Sequence, residues 1–214
     1  MKAIRLILIF LVGVSLTYLT YKSKYQTFFF EDIIWTGLIS IGLFIFLWTI
    51  IKDIRQFNKE KKFQNFSLTF FCILFISATL ILKIKNNNNF NKPTLLKVFY
   101  NGDYNGTGID FKADGTYIFD NSAIGVSEYF YGTYEMNGNK ITMDKDTIDN
   151  ITNLKYLEIR HKQSGGGEKV LYLYQVDSLG NLIERSNNEY RVIIDNRKNK
   201  LPLTSSYVYG RINE

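Results

Sequence analysis

His161 is the chain's single histidine, and it stands between Arg160 and Lys162. Imidazole is the usual general base near neutral pH, but a base needs a nucleophile and an orienting group around it. No Gly-x-Ser-x-Gly elbow accompanies it, so an exposed, solvated histidine is the expectation. One histidine also falls short of the three or four nitrogen and sulfur ligands that zinc takes. Cys72 is the one cysteine. It lies inside an apolar run, where a thiol packs as a small hydrophobe, and it can form no intramolecular disulfide. Asp144, Asp146 and Asp149 share a loop and have the side chains calcium prefers. Ile148 and Asp149, however, stand where an EF-hand loop needs a ligand and a glycine, so a solvated acidic loop is expected instead. The glycine-rich run Asn105-Gly106-Thr107-Gly108 does not connect a strand to a helix; a turn or bulge is expected there rather than a phosphate cradle. The expectation is a protein without catalytic residues, metal ligands or cofactors.

The aromatics remain as candidates. The chain holds 15 tyrosines and 17 phenylalanines. Tyrosine joins a large apolar body to a hydroxyl that needs a partner, so it suits ligand cavities, interaction surfaces and pleated cores alike. Tyr117, Phe130, Tyr134, Tyr172, Tyr174 and Tyr190 all fall in alternating stretches and form the candidate ligand-binding set.

The elements that must position these residues begin with three apolar runs, 4–21, 33–51 and 67–84. Each is about as long as a bilayer core is thick, at 1.5 Å of helical rise per residue. No charge interrupts the middle of any run, and Tyr18, Tyr21, Tyr25, Trp35 and Trp48 stand near their ends, as rings at the headgroup level do. A soluble bundle would need polar faces that these runs lack. Met1-Lys2-Ala3-Ile4-Arg5 would pass for the basic start of a signal peptide, but no small-x-small cleavage site follows. Retention of the first run is expected.

Charge divides the chain. Residues 1–89 hold 11 basic and 4 acidic groups, and residues 90–214 hold 15 and 16, so the net charge of +6 belongs to the apolar part. Cations that flank apolar runs speak for membrane topology, and a nucleic-acid polymer is not an expected partner. The second connection carries Lys52, Arg55, Lys59, Lys61 and Lys62. Placing it and the N-terminus in the cytoplasm puts seven basic residues inside and five outside. Three crossings then carry the C-terminal part out of the cytoplasm, across a cell inner membrane. The expected partners are the lipid bilayer and an unidentified protein or small molecule, with a homo-oligomer through the helices as a further option.

Residues 86–94, with four asparagines and Pro93, read as the end of the third helix and a short linker. From residue 95 the apolar period becomes two. Strands are predicted at 95–100, 106–111, 116–120, 127–136, 140–144, 155–160, 169–176, 182–187 and 189–194, with a further one at 206–211. Turn chemistry separates them at Ala113-Asp114-Gly115, Asn137-Gly138-Asn139, residues 164–167 and Ser178-Leu179-Gly180-Asn181, as in a meander. The fold class is a membrane α-helical region followed by an all-β domain of eight to ten antiparallel strands, a barrel or sandwich, with closure favoured because it removes free edges. The predicted core is Ile109, Phe111, Tyr117, Phe119, Phe130, Tyr134, Met136, Ile141, Met143, Leu157, Ile159, Tyr190, Val192 and Ile194. Residues 169–176 are apolar on both faces, so that strand is expected to be covered on both sides or to meet a partner.

Phe111-Lys112-Ala113-Asp114-Gly115-Thr116-Tyr117, followed by Gly132-Thr133-Tyr134 and Gly138-Asn139-Lys140-Ile141, resembles the pattern of bacterial lipocalin-like domains. That resemblance covers residues 111–144 and implies a small antiparallel barrel, often extracytoplasmic and seldom enzymatic. The order of parts is also similar to anti-phage membrane effectors that join transmembrane helices to a nucleotide-sensing barrel, although the charge count places this barrel on the wrong side for a cytoplasmic signal. The leading expectation is a membrane-anchored, non-enzymatic binding protein with an immunity or envelope role. The alternative is an antiviral effector whose barrel senses a cyclic nucleotide and whose helices disrupt the membrane.

Overall fold

The computed structural model describes residues 2–102, 104–149, 155–163, 167–183 and 189–198. Its contacts divide the chain into two units. One holds Met1–Lys92 together with Asp120–Phe130; the other holds Pro93–Phe119 and the described residues from Tyr131 onward.

Three helices dominate the first unit: α1 (Lys2–Lys22), α2 (Glu31–Glu60) and α3 (Ser67–Phe90), the last entered through a 3-10 turn at Phe63–Phe66. All three are long and apolar enough to cross a membrane. Their packing core is small, made of Ile9, Val12, Ile45, Leu68 and Cys72. Most other large apolar side chains face outward, Phe44 at 69% and Ile81 at 65% exposure among them. Water would penalise that surface, whereas lipid does not. Close approach of α1 and α3 depends on Gly13, since a Cβ there would lie 2.5 Å from the Phe75 ring. Beside it, the Thr17 hydroxyl donates to the Gly13 carbonyl (2.8 Å) and lies 3.1 Å from the Thr79 hydroxyl. Small residues at helix contacts are the usual solution where lipid removes the hydrophobic drive.

Two expectations about helix ends are corrected. Lys52, Arg55 and Lys59 sit on the final turns of α2, which ends at a left-handed Lys61, so the basic connection is largely helical. The asparagine run continues α3 to Phe90 instead of ending it. Its propensity is overridden by side-chain bonds: the Asn86 amide donates to the Thr20 carbonyl on α1 at 2.8 Å, and the Asn91 amide to Asn87 Oδ1 at 2.8 Å. Between α1 and α2, strand β1 (Gln26–Phe28) pairs antiparallel with Val126, Ser127 and Glu128.

Eight strands form the barrel: β2 (Thr94–Asn101), β3 (Asn105–Lys112), β4 (Thr116–Ala123), β5 (Val126–Asn137), β6 (Lys140–Met143), β7 (Tyr156–Gln163), β8 (Lys169–Gln175) and β9 (Tyr190–Asp195). Each pairs with its neighbour in sequence, and β9 returns to pair with β2. The result is a closed up-and-down antiparallel meander, which leaves no free edge around its circumference. The register places buried side chains opposite one another: Leu96 with Phe111, Val98 with Ile109, Tyr134 with Met143, Ile159 with Leu173, and Leu173 with Tyr190. Each fully buried side chain of this size contributes about 1.5–3 kcal/mol.

The predicted core holds for Ile109, Phe111, Tyr117, Phe119, Tyr134, Ile141, Met143, Leu157, Ile159 and Tyr190. Phe130, Met136 and Val192 are only half-buried, and Ile194 is 37% exposed. A register shift between Lys97 and Val98 sets Val192 opposite inward Val98 but Ile194 opposite exposed Lys97, which turns Ile194 outward. The glycine-rich run 105–108 is the first half of β3, not a turn. Residues 169–176 are covered on both faces at their C-terminal end: Leu173 points inward, while Tyr174 and Val176 are buried on the other face. There the chain folds back to form a bridge between Val176 and Leu182. The strand predicted at 182–187 lies mostly, and that at 206–211 wholly, outside the described residues.

Candidate recognition surface

The six aromatic candidates separate into an interior group and an exterior group. Tyr117, Tyr134 and Tyr190 point into the barrel and are buried. Phe111 brings the first two together, its ring centroid 4.9 Å from Tyr134 in an edge-on contact and 6.4 Å from Tyr117. Their hydroxyls are satisfied locally: Tyr117 donates to Asp144 Oδ1 at 3.1 Å, and Tyr134 to the Lys112 carbonyl at 2.6 Å. Gly132 makes room for the first of these bonds, because a Cβ there would lie 2.4 Å from both the Tyr117 hydroxyl and Asp144 Oδ1. Burial, and then the Asp144 charge, pushes the Tyr117 phenol far above its ordinary value. Burial and the charges of Asp114 and Asp110 push Tyr134 up to about 12. Tyr190 stands apart from that pair, its ring 6.3 Å from Tyr100. With Leu96, Val98, Ile109, Phe111, Phe119 and Leu173 fully buried around these rings, side chains fill the barrel.

Tyr172 and Tyr174 lie on the opposite face of β8, pointing away from the interior, with ring centroids 6.3 Å apart. Across the β7–β8 register, Arg160 is opposite Tyr172 and Glu158 opposite Tyr174. On the β9 side, Arg191 is opposite Tyr172. The Lys162 ammonium lies 5.7 Å from the Tyr172 ring and pairs with Glu189. Arg160 pairs with Glu158 and donates to the Gly180 carbonyl at 2.6 Å. Burial, followed by the Glu189 charge, raises the Tyr174 phenol. On this outer face Tyr172 is half-buried and Tyr174 is buried, and both stand among paired cations and carboxylates, groups whose π faces and forked donors suit binding rather than bond-making. Phe130, the sixth candidate, belongs to the helical unit's contacts.

His161 is exposed on β7 opposite Leu171. Of the acidic loop, Asp144 is committed to Tyr117, and Asp146 lies 3.8 Å from Lys155. Among the described residues, no group of three His, Cys, Asp or Glu side chains is placed to hold a metal ion.

Sequence reasoning overlooked one cluster in the helical unit. Arg5 on α1 donates to Asp53 on α2 at 2.9 Å, with both side chains buried. Asp53 also accepts from the Thr69 hydroxyl (2.8 Å) and backbone N–H (3.2 Å) on α3. The signal was present: Arg5 lies near the start of α1 and Asp53 near the end of antiparallel α2, which puts them at the same level.

No family model, curated protein or solved structure matches this chain. The closed eight-stranded antiparallel barrel is consistent with the resemblance to lipocalin-like domains.

Proposed function

We propose that this protein is a membrane-anchored, non-enzymatic binding protein whose barrel recognises a protein or small ligand at the outer side of a cell inner membrane, in an immunity or envelope role. The contrast between a filled interior and a Tyr172–Tyr174 pair on the outer wall carries this reading. On this reading recognition lies on the wall of the barrel, around half-buried Tyr172, and the interior tyrosines have a packing role. The test has two parts. Phosphatase and fluorescent-protein fusions at the C-terminus report the side of the membrane; a cytoplasmic result removes the anchored-receptor reading. A photo-crosslinking residue replacing Tyr172 in the full chain is then compared with one replacing the exposed Tyr104. An adduct specific to position 172 supports the surface, and equal labelling from both positions overturns it.

One observation favours the effector reading as an alternative. Strand β1 ties the α1–α2 connection to the start of β5, and Phe90 at the end of α3 stacks edge-on with Tyr129 at 5.1 Å. A signal that moves β5 would therefore pull on helix ends. A C-terminal domain in the cytoplasm, together with binding of a cyclic nucleotide, would select this alternative.

A further inference from the structure

We infer that the cleft enclosed by α1, α2 and α3 is a binding site for one phospholipid with a zwitterionic amine head, its phosphate on Lys83 and its ammonium on Glu31 and Asp32. The cleft has two parts. A cavity of about 280 Å³ is walled by side chains such as Val12, Leu16, Leu43, Phe46 and Ile76. A second, of about 390 Å³, is lined by polar groups including Glu31, Asp32, Lys83 and Asn86. Trp35, Ile39 and Lys83 line both parts, so an apolar slot opens into a charged mouth. Cys72 and Lys83 both line the slot. Lys83 follows Cys72 by eleven positions on α3, a rise of about 16 Å and much of an acyl chain's length.

The mouth narrows the choice of head. Lys83 is held with its ammonium 4.7 Å over the Trp35 ring, at a helix end where tryptophan and lysine meet headgroups. A head with only negative charge would gain Lys83 but face two carboxylates. A head with only positive charge would do the reverse. A phosphate with a primary ammonium satisfies both signs, and its N–H groups can donate to the carboxylates, as a quaternary amine cannot. This inference requires only the helices and is independent of what the barrel recognises.

The experiment uses the purified full chain in non-ionic detergent, incubated with equal amounts of phosphatidylethanolamine, phosphatidylglycerol and phosphatidylcholine of identical acyl chains. Retained lipid is then measured by mass spectrometry. One ethanolamine lipid per chain, preferred about fivefold or more, is expected from one or two charge-assisted contacts. Gly42→Leu should abolish retention, because a Cβ at Gly42 meets Val12 and Leu16 at ordinary distances of 3.5 and 3.7 Å and the larger side chain fills the slot. Gly37→Leu is the matched control, since nothing lies within 4 Å of a Cβ there. Lys83→Gln should reduce retention about threefold to tenfold. Equal retention of the three lipids overturns the proposal. So does a Gly42→Leu protein that keeps the lipid, or a dimer that Gly42→Leu dissolves while no lipid is bound.

Discussion

Asp53→Ala is the substitution expected to do the most damage per atom removed. Asp53 is 1% exposed and accepts from Arg5 on one side and Thr69 on the other, so one carboxylate links all three helices. Removing it leaves the Arg5 guanidinium buried, with only the 3.4 Å contact to the Thr49 carbonyl among its named bonds. Breaking one partner of a buried pair costs about 3–5 kcal/mol. Replacing both partners with apolar groups avoids that cost, so Arg5→Met combined with Asp53→Leu should recover most of the loss. Cys72 supplies the assay, because the thiol is buried in the interhelical core and labels with a maleimide only when the helices part. At about 1.4 kcal/mol per factor of ten, Asp53→Ala should speed labelling by roughly one hundred-fold to several thousand-fold, with the double variant near the parent rate. If Asp53→Ala labels at the parent rate, or if the double variant is as fast as the single one, the pair does not hold the helices together.

Gly132→Ala should break the Tyr117–Asp144 bond and destabilise the barrel by about 1–3 kcal/mol, read as a fall in denaturation midpoint without loss of the strand signal in circular dichroism. Alkaline pH gives a second check on the interior. The folded Tyr134 value is raised above 10 to about 12, so the folded state holds the proton more tightly than the unfolded chain. Stability is then full below pH 10 and falls as pH rises from 10 towards 12, by about 1.4 kcal/mol per pH unit for each such tyrosine. Phenolate absorbance that appears well before unfolding would contradict that burial. Thr27→Pro removes a backbone donor from the middle of β1 and should raise amide exchange at Ser127 and Tyr129 by about tenfold or more, leaving the β2–β9 closure protected.

The strands were legible because one face of a closed barrel is buried along its whole length, which writes a period of two into β3, β4, β6 and β7 and puts turn residues between them. Ile194 was misread because a bulge changes the parity, and a bulge leaves no mark in an alternation count. The asparagines of 86–89 misled for a different reason: propensity describes an isolated helix, and Asn86 is held by a carbonyl on another one. The Arg5–Asp53 pair was invisible to a reading that took each charge as a topology marker. A candidate surface divided between two faces was foreseeable only in part. Tyr172 and Leu173 are plainly on opposite sides of one strand, but which side faces inward is set by the Leu173–Tyr190 pairing between β8 and β9.

The β1–β5 pairing also limits how the chain can cross a membrane. Residues 26–28 and 126–128 are hydrogen-bonded partners, so they occupy one side of any bilayer. Of the three helices long enough to cross, α2 and α3 lie between them in sequence. An even number of crossings must separate them, and a state in which only one of the two inserts would tear β1 from β5. Reducing the positive charge near the α2–α3 junction therefore should not strand a single helix. Replacing Lys52, Arg55, Lys59, Lys61 and Lys62 with glutamine removes the charge bias that would favour this junction on the cytoplasmic side. The expected result is a mixture of two whole-chain orientations, in each of which reporters after Lys24 and at the C-terminus lie on the same side. Reporters found on opposite sides in one molecule would show that α2 and α3 do not cross as a pair, and the strand that joins the connection to β5 would then have to be given up.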